Sequence, residues 1–247
     1  LINIELQFWY YYFLFKKLQM NKIKKNILFH INKIYHEFFI FRTNDEKKIF
    51  SKIYKNNYWG SDVSKSGPGS DLENTKRIRK KLPLIIKNYK IKSIFDAPCG
   101  DFFWFSKIIS NINIDYIGAD IVKELIKNNQ RRFNNKNIKF INSNLILSRY
   151  PKVDLWICRA LFFHLDYKSI FKILRNLKKS KIKYILLTNS STQKYFKNTN
   201  ITHGNYRQLD LFKAPFNFKK NYVLKFTDTY FPKTNKIDQE MILWKKK

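Results

Sequence analysis

Acidic side chains are in short supply in this chain: 18 Asp and Glu face 49 Lys and Arg, a formal charge of +31 over 247 residues. Cysteine is nearly absent. The two present, Cys99 and Cys158, exclude a disulfide framework and suit a reducing cytosol. Four scattered histidines form no cluster with metal-ligand spacing, so no metal is expected. Long apolar runs are missing too: Phe8–Phe15 is eight residues, too short to span a bilayer. No small-residue cleavage site follows it, which argues against a secretory signal. A cytoplasmic location is the resulting expectation. There are no internal repeats.

The basic excess is lysine rather than arginine, 40 against nine, and it stands beside 26 Asn. Surfaces dedicated to nucleic acid favour Arg, whose planar fork reads phosphates and bases in pairs. Lys, Asn, Ile, Phe and Tyr share A/T-rich codons, so genome composition accounts for much of the charge. Nucleic acid stays an open but unfavoured partner. The length suits one α/β domain with a full core.

The first Met is Met20, which leaves residues 1–19 open between native sequence, upstream reading frame and fragment edge. From there Ile23, Ile27, Ile31, Ile34 and Phe38 recur at helical spacing with lysines between them. A basic amphipathic helix over 20–41 suits peripheral contact with a membrane surface or a partner. Packing on its own domain is the favoured alternative. Residues 1–53 are therefore assigned to a basic, aromatic helical extension and 54–247 to the main domain.

The centre of that domain is Ile91–Phe105: a short buried strand ending in Asp96, a tight turn at Gly100, then an apolar helix start. Strands feeding helices through such turns hold nucleotide-like ligands at the carboxyl edge of open α/β sheets. Pro98 and Phe102 stand where a dinucleotide fingerprint would have glycines. The next strand, Asp115–Asp120, ends in a second acid 24 residues after the first, placed to accept from ribose hydroxyls.

These two strands resemble motifs I and II of class I S-adenosylmethionine (SAM)-dependent methyltransferases. More narrowly, the chain is similar to a bacterial branch with a W-G-S…S-G-x-G-S segment before D-x-P-C-G-D-F-x-W. Here those segments are Trp59–Ser70 and Asp96–Trp104. The resemblance extends through Tyr116–Val122, Cys158–Leu165, Gly204–Leu209 and Ala214–Phe218, and covers roughly Tyr54 to Trp244. It implies a Rossmann-like, seven-stranded mixed sheet in the order 3-2-1-4-5-7-6 with helices on both faces, and S-adenosyl-L-methionine as cofactor. The cofactor-binding residues it implies are Asp96, Ala97, Pro98, Gly100, Asp120, Ile121, Ser143, Asn144 and Arg79. Asn144 stands where many such enzymes have an acid for the adenine amino group, and an amide retains hydrogen-bonding capacity there.

Along the rest of the chain, the small residues of 59–70 let backbone approach a ligand or form a linker. A helix is expected over 71–88, capped by Ser70 or Asp71 and kinked at Pro83, with Thr75 and Arg79 on one face. Arg79 either meets the carboxylate of the methionine moiety or is one more exposed base. Further elements are a helix over 122–133, strands over 138–142, 153–158 and 184–188, a helix over 166–179, and a terminal hairpin from 222–228 and 240–244. The long polar loop 189–207 reads as a lid or binding segment.

Three acceptor-side residues are candidates for catalysis. His164 follows the fourth strand and either deprotonates an acceptor or only bonds neighbouring backbone. Arg159 either touches substrate or orients the loop, and Ala160 stands where the branch has an acid. Arg207 either clamps an anionic acceptor group or serves as a structural tie. Trp59, Phe102 and Trp104 offer ring faces for a sulfonium, with core packing as the competing fate. The expected function is methyl transfer from SAM to a small molecule or sugar. RNA methylation and a non-catalytic basic binding module are the alternatives, and the oligomeric state is open.

Overall fold

A computed structural model of the chain describes residues 40, 42–59, 61–192, 194–229 and 239–246. Contacts divide the chain into two compact units, 1–42 and 43–247. Only Ile40 and Arg42 of the first are described, so the amphipathic helix expected over 20–41 and the aromatic run at 8–15 lie outside the described residues. No helix among the described residues is long and apolar enough to cross a membrane.

The second unit begins with α1, Glu46–Lys55, capped by Asp45, whose carboxylate accepts from Lys48 N. Its Ile49, Phe50, Ile53 and Tyr54 share one face and are buried. This helix falls with the sheet, beyond the observed break at 42/43.

Helix α2 is Lys76–Asn88 and runs through Pro83. It starts five residues later than the capping pattern suggests, and the reason is a spent cap. Asp71 Oδ1 accepts from Ser61 Oγ at 2.9 Å instead of closing a helix. Residues 72–75 form turns, and Thr75 takes the cap position.

Seven strands form one sheet in the order β3-β2-β1-β4-β5-β7-β6. They are β1 Ser93–Asp96, β2 Asp115–Asp120, β3 Ile138–Asn142, β4 Leu155–Cys158, β5 Tyr184–Ser190, β6 Leu224–Thr229 and β7 Gln239–Lys245. Pairing is parallel from β3 to β5, and β7 inserts antiparallel between β5 and β6. The expected order and terminal hairpin are both found. Helix α3, Lys123–Phe133, follows β2, and α4, Tyr167–Lys179, is capped by Asp166 accepting from Ser169 N. The central strand β4 is fully enclosed, with Leu155, Trp156 and Ile157 at 0% exposure. Burying each such side chain contributes about 1.5–3 kcal/mol over leaving it exposed.

The helix expected after Gly100 does not form. Residues 101–111 make turns with two short 3-10 segments, Phe105–Lys107 and Ile109–Asn111. Phe102 sits at φ +59°, outside the right-handed helical region. Its ring is held in an aromatic cluster at 5.0 Å from Tyr116, Phe133 and Phe140. Gly118 of β2 makes room for that cluster, since a Cβ there would lie 2.7 Å from the Phe140 ring. Packing of one phenylalanine thus decides the backbone of the whole connection.

Candidate active site

The carboxyl ends of the parallel strands set the residues of the turn 97–100 among their neighbours. Ala97 N donates to Ile157 O, and Cys99 N to Ala119 O, so β4 and β2 hold the turn from both sides. Trp156 Nε1 donates to Ala97 O at 3.0 Å, and Asn129 Nδ2 of α3 to Gly100 O at 2.8 Å. Gly100 has φ +56°, and a Cβ on it would lie 2.3 Å from Ser66 Oγ, so glycine is required twice over.

Two carboxylates face this turn from below. Asp120 accepts from Gly100 N at 3.3 Å and from Val122 N at 3.0 Å. Asp96 is 2% exposed and accepts from Tyr116 Oη at 2.7 Å through Oδ2. Burial pushes the Asp96 carboxyl up to about 7, against the opposing pull of the Tyr116 bond and the Arg159 charge. Burial likewise raises Asp120 to about 6, offset by the N–H donors of Val122, Gly100 and Ile121. Two buried acids held near neutrality at a sheet edge are matched to a cationic, hydroxyl-bearing ligand.

Ile121 and Ser143 join this group. Asn142 Nδ2 donates to Ile121 O, and Ser143 N to Asp120 O. Asn144 is half-buried beside them; its Oδ1 accepts from Ile146 N, and its Nδ2 donates to Glu46 Oε1 at 2.8 Å. Arg79 is elsewhere: it closes its own segment, donating to Leu72 O at 2.7 Å and Thr75 Oγ1 at 3.3 Å.

The loop 61–70 crosses the turn and is fastened at both ends. At one end Asp101 takes Ser64 Oγ, Lys65 N and Ser66 Oγ at 2.9–3.2 Å, while its own N donates to Ser66 Oγ. At the other end Arg159 Nη1 donates to Gly69 O at 2.7 Å and Nη2 to Asn74 O at 3.5 Å. Arg159 Nε pairs with Asp228 of β6 at 2.8 Å, both side chains being buried. Of the two roles open for Arg159, this geometry matches orientation of the loop. Gly60 lies outside the described residues.

His164 ends the short turn Leu161–His164 that follows Ala160, itself at φ +61° with its N donating to Thr188 Oγ1. The imidazole is half-buried, 5.0 Å from the Trp59 ring and 5.8 Å from Tyr206. Arg207 lies behind the turn, 6% exposed, with its guanidinium 5.3 Å above the Tyr167 ring. It makes no contact with Asp210, whose carboxylate takes Thr192 Oγ1 and Phe212 N. Of the three aromatics proposed for a sulfonium, Phe102 and Trp104 are buried in the core and Trp59 faces the site.

Asp101, Asn129, Tyr116 and Glu46 are the site residues that sequence reading missed. Asp101 stood in view as the G-D pair after Cys99, opposite the serine spacing 61, 64, 66. The others are brought in from distant elements by the fold.

No family model and no curated protein matches the chain. Solved structures do match. The magnesium protoporphyrin IX methyltransferase ChlM of Synechocystis PCC 6803, solved with bound SAM, superposes at a TM-score of 0.57 with 10% identity, over 83% of this chain and 99% of that one. The methyltransferase domain of bacterial CtHen1 gives 0.53 at 14% identity, over 71% and 98%. Human N-acetylserotonin methyltransferase in complex with SAM gives 0.51 at 12%, over 85% and 58%. The chain has the class I methyltransferase fold.

Proposed function

We propose that this protein transfers a methyl group from SAM to a hydroxyl of a small-molecule or saccharide acceptor. The observation that carries the cofactor is the pair Asp96 and Asp120 at the Gly100 turn, two buried carboxyls raised toward neutrality, with Asp120 accepting from Gly100 N. SAM supplies two cationic centres, a ribose diol and an activated methyl group, and these residues suit all but the last. Asp120 would accept from the ribose hydroxyls, and Asp96 would balance positive charge. Ile121, Ser143 and Asn144 line the adenine side, and Ala97 and Pro98 shape the floor. Arg79 would reach the methionine carboxylate only by leaving Leu72 and Thr75.

The acceptor side must align an oxygen in line with the methyl group, exclude water and take one proton. Bound SAM would supply the methyl group on its sulfonium, and His164 Nε2 would take the proton that the acceptor hydroxyl gives up. Trp59 and Tyr206 offer flat faces beside the imidazole, which suits a ring-shaped acceptor. Arg159 holds the covering loop in place. Isothermal titration with SAM, followed by transfer of labelled methyl into fractionated extract, tests the reading. Absence of SAM binding would overturn it.

RNA as acceptor is the second reading, and the charge alone favours it. A hollow of about 510 Å³ at the opposite end of the sheet is lined by Lys90, Lys181, Lys183, Lys245 and Lys246. Two of the five are already spent, Lys183 on Asp154 and Lys246 on carbonyls at the end of α4. Lysines at a helix C-terminus answer its dipole, which supports solvated charge over a polyanion groove.

A further inference from the structure

One segment holds three consecutive carbonyls of the His164 turn. Gly204 N donates to His164 O at 2.8 Å and Arg207 N to Phe163 O at 3.0 Å. The Arg207 guanidinium reaches the third, Nη1 donating to Phe162 O at 3.1 Å. A fourth contact comes from the side chain itself: His164 Nδ1 lies 3.0 Å from Asn205 O. A carbonyl oxygen only accepts, so the proton of that bond sits on Nδ1 and the lone pair of the neutral ring on Nε2.

We propose that the segment Gly204–Arg207 is the positioning device for His164, with Arg207 as its anchor and a bare Nε2 as what it presents to the acceptor. The inference rests on His164 being the base named above. Gly204 is needed at φ +81°, where its N–H turns toward the His164 carbonyl. Arg207 is a positioning residue here: buried behind the turn, it acts through the histidine and not on substrate.

The charge of Arg207 has a second effect. Among the described residues no carboxylate contacts its buried Nε and Nη2, so its charge is only partly offset. The groups around it are Tyr167 and Asp166. Asp166 already accepts from Ser169 N and lies 3.9 Å from His203 Nε2. Trp59 and Tyr206, the rings against His164, carry no charge at neutral pH. Burial, with the Arg207 charge beside it and against the Asn205 bond, pushes the imidazole down to about 4. Near pH 7 the base is therefore free of its proton.

Nitrogen NMR of the ¹⁵N-histidine-labelled full chain reads both properties without needing the acceptor. In the wild type we expect His164 as the Nδ1–H tautomer, staying neutral down to about pH 4. In Arg207→Met the midpoint should rise above the wild-type value, with burial still holding it below the ordinary value of about 6.5, and the Nε2–H tautomer should appear. Arg207→Lys, which keeps the charge, should restore the low midpoint. Wild-type tautomer and midpoint in Arg207→Met would overturn the proposal. Should that variant not fold, Gly204→Ala is expected to mix the tautomers, and an unaltered His164 signal there overturns it equally. Labelled-methyl transfer by His164→Asn reads the base itself: wild-type turnover would remove that role, while the NMR outcome stands on its own.

Discussion

Asp101 and Ser64 lie 37 residues apart in sequence, and the Ser64 hydroxyl donates to both oxygens of the Asp101 carboxylate, at 3.0 and 2.9 Å. Through this contact, and those of Lys65 N and Ser66 Oγ, the loop 61–70 is latched onto the cofactor turn. A carboxylate accepting several donors at once makes charge-assisted bonds, each about 1.5–3 kcal/mol. Asp101→Asn keeps the shape but removes the charge and turns one acceptor into a donor. The expected outcome is SAM affinity reduced roughly tenfold, about 1.4 kcal/mol, with cleavage at 61–70 by added protease accelerated. Calorimetry and limited proteolysis measure the two, and wild-type values in both would show that the latch does not serve the site.

The raised carboxyls make a pH prediction with a definite sign. Both Asp96 and Asp120 hold their protons more tightly folded than unfolded, so they stabilise the empty protein most at low pH. That contribution declines as pH climbs from about 4 through the folded values near 6 and 7. A cationic ligand prefers the ionised acids, so SAM binding should release protons and strengthen from pH 5.5 to 7.5. The rise in Tm produced by saturating SAM should grow over the same interval, and Asp120→Ala should weaken binding at every pH. A Tm shift that is flat with pH would contradict the assignment of Asp96 and Asp120 to the cofactor.

What the sequence made legible follows from how locally each feature is determined. Strand β3 is legible at Ile138–Asn142 because Ile138, Phe140 and Ile141 form a short apolar run between Asn137 and Ser143. The strand order came from a family resemblance that Asp96, Gly100 and Asp120 carried. The turn after Gly100 is not legible locally because Phe102 obeys a cluster formed with Phe133 and Phe140, residues 31 and 38 positions away. The start of α2 is displaced from the local capping signal because Asp71, an excellent cap in isolation, is spent on Ser61. Arg159 and Arg207 looked alike as cations near the acceptor edge. Their difference rests on Asp228 and on the carbonyl of Phe162, which no local pattern announces.

Glu46 is a case where distance in sequence hid a chemically apt partner. Its carboxylate accepts from Asn144 Nδ2 at 2.8 Å, 98 residues away, on the side proposed for adenine. Glu46 thereby brings an acid to a place where Asn144 leaves none on the strand itself. Glu46→Gln is expected to weaken SAM binding about three- to tenfold, roughly one hydrogen bond. The purine should reveal the cause. An S-inosyl analogue, which lacks the exocyclic amine, should bind wild type and variant alike. Equal losses for both ligands would assign Glu46 to fold stability instead.

The pair Arg159 and Asp228 allows the loop tie to be separated from the cost of a buried charge. Their N–O distance is 2.8 Å with side-chain exposures of 7% and 0%, and Asp228 Oδ1 has no hydrogen-bond partner among the described residues. Burial raises the Asp228 carboxyl even against the nearby Arg159 charge. Removing only the arginine strands a buried carboxylate, which typically costs about 3–5 kcal/mol. Arg159→Met should therefore destabilise strongly in urea denaturation. Arg159→Met with Asp228→Asn removes both charges, and most of that stability should return. The bonds from Arg159 to Gly69 O and Asn74 O do not return with it. The double variant is thus expected to fold, bind SAM weakly and still expose the loop 61–70 to protease. A double variant as unstable as Arg159→Met would mean that the arginine's bonds to the loop, and not its charge balance, support the fold.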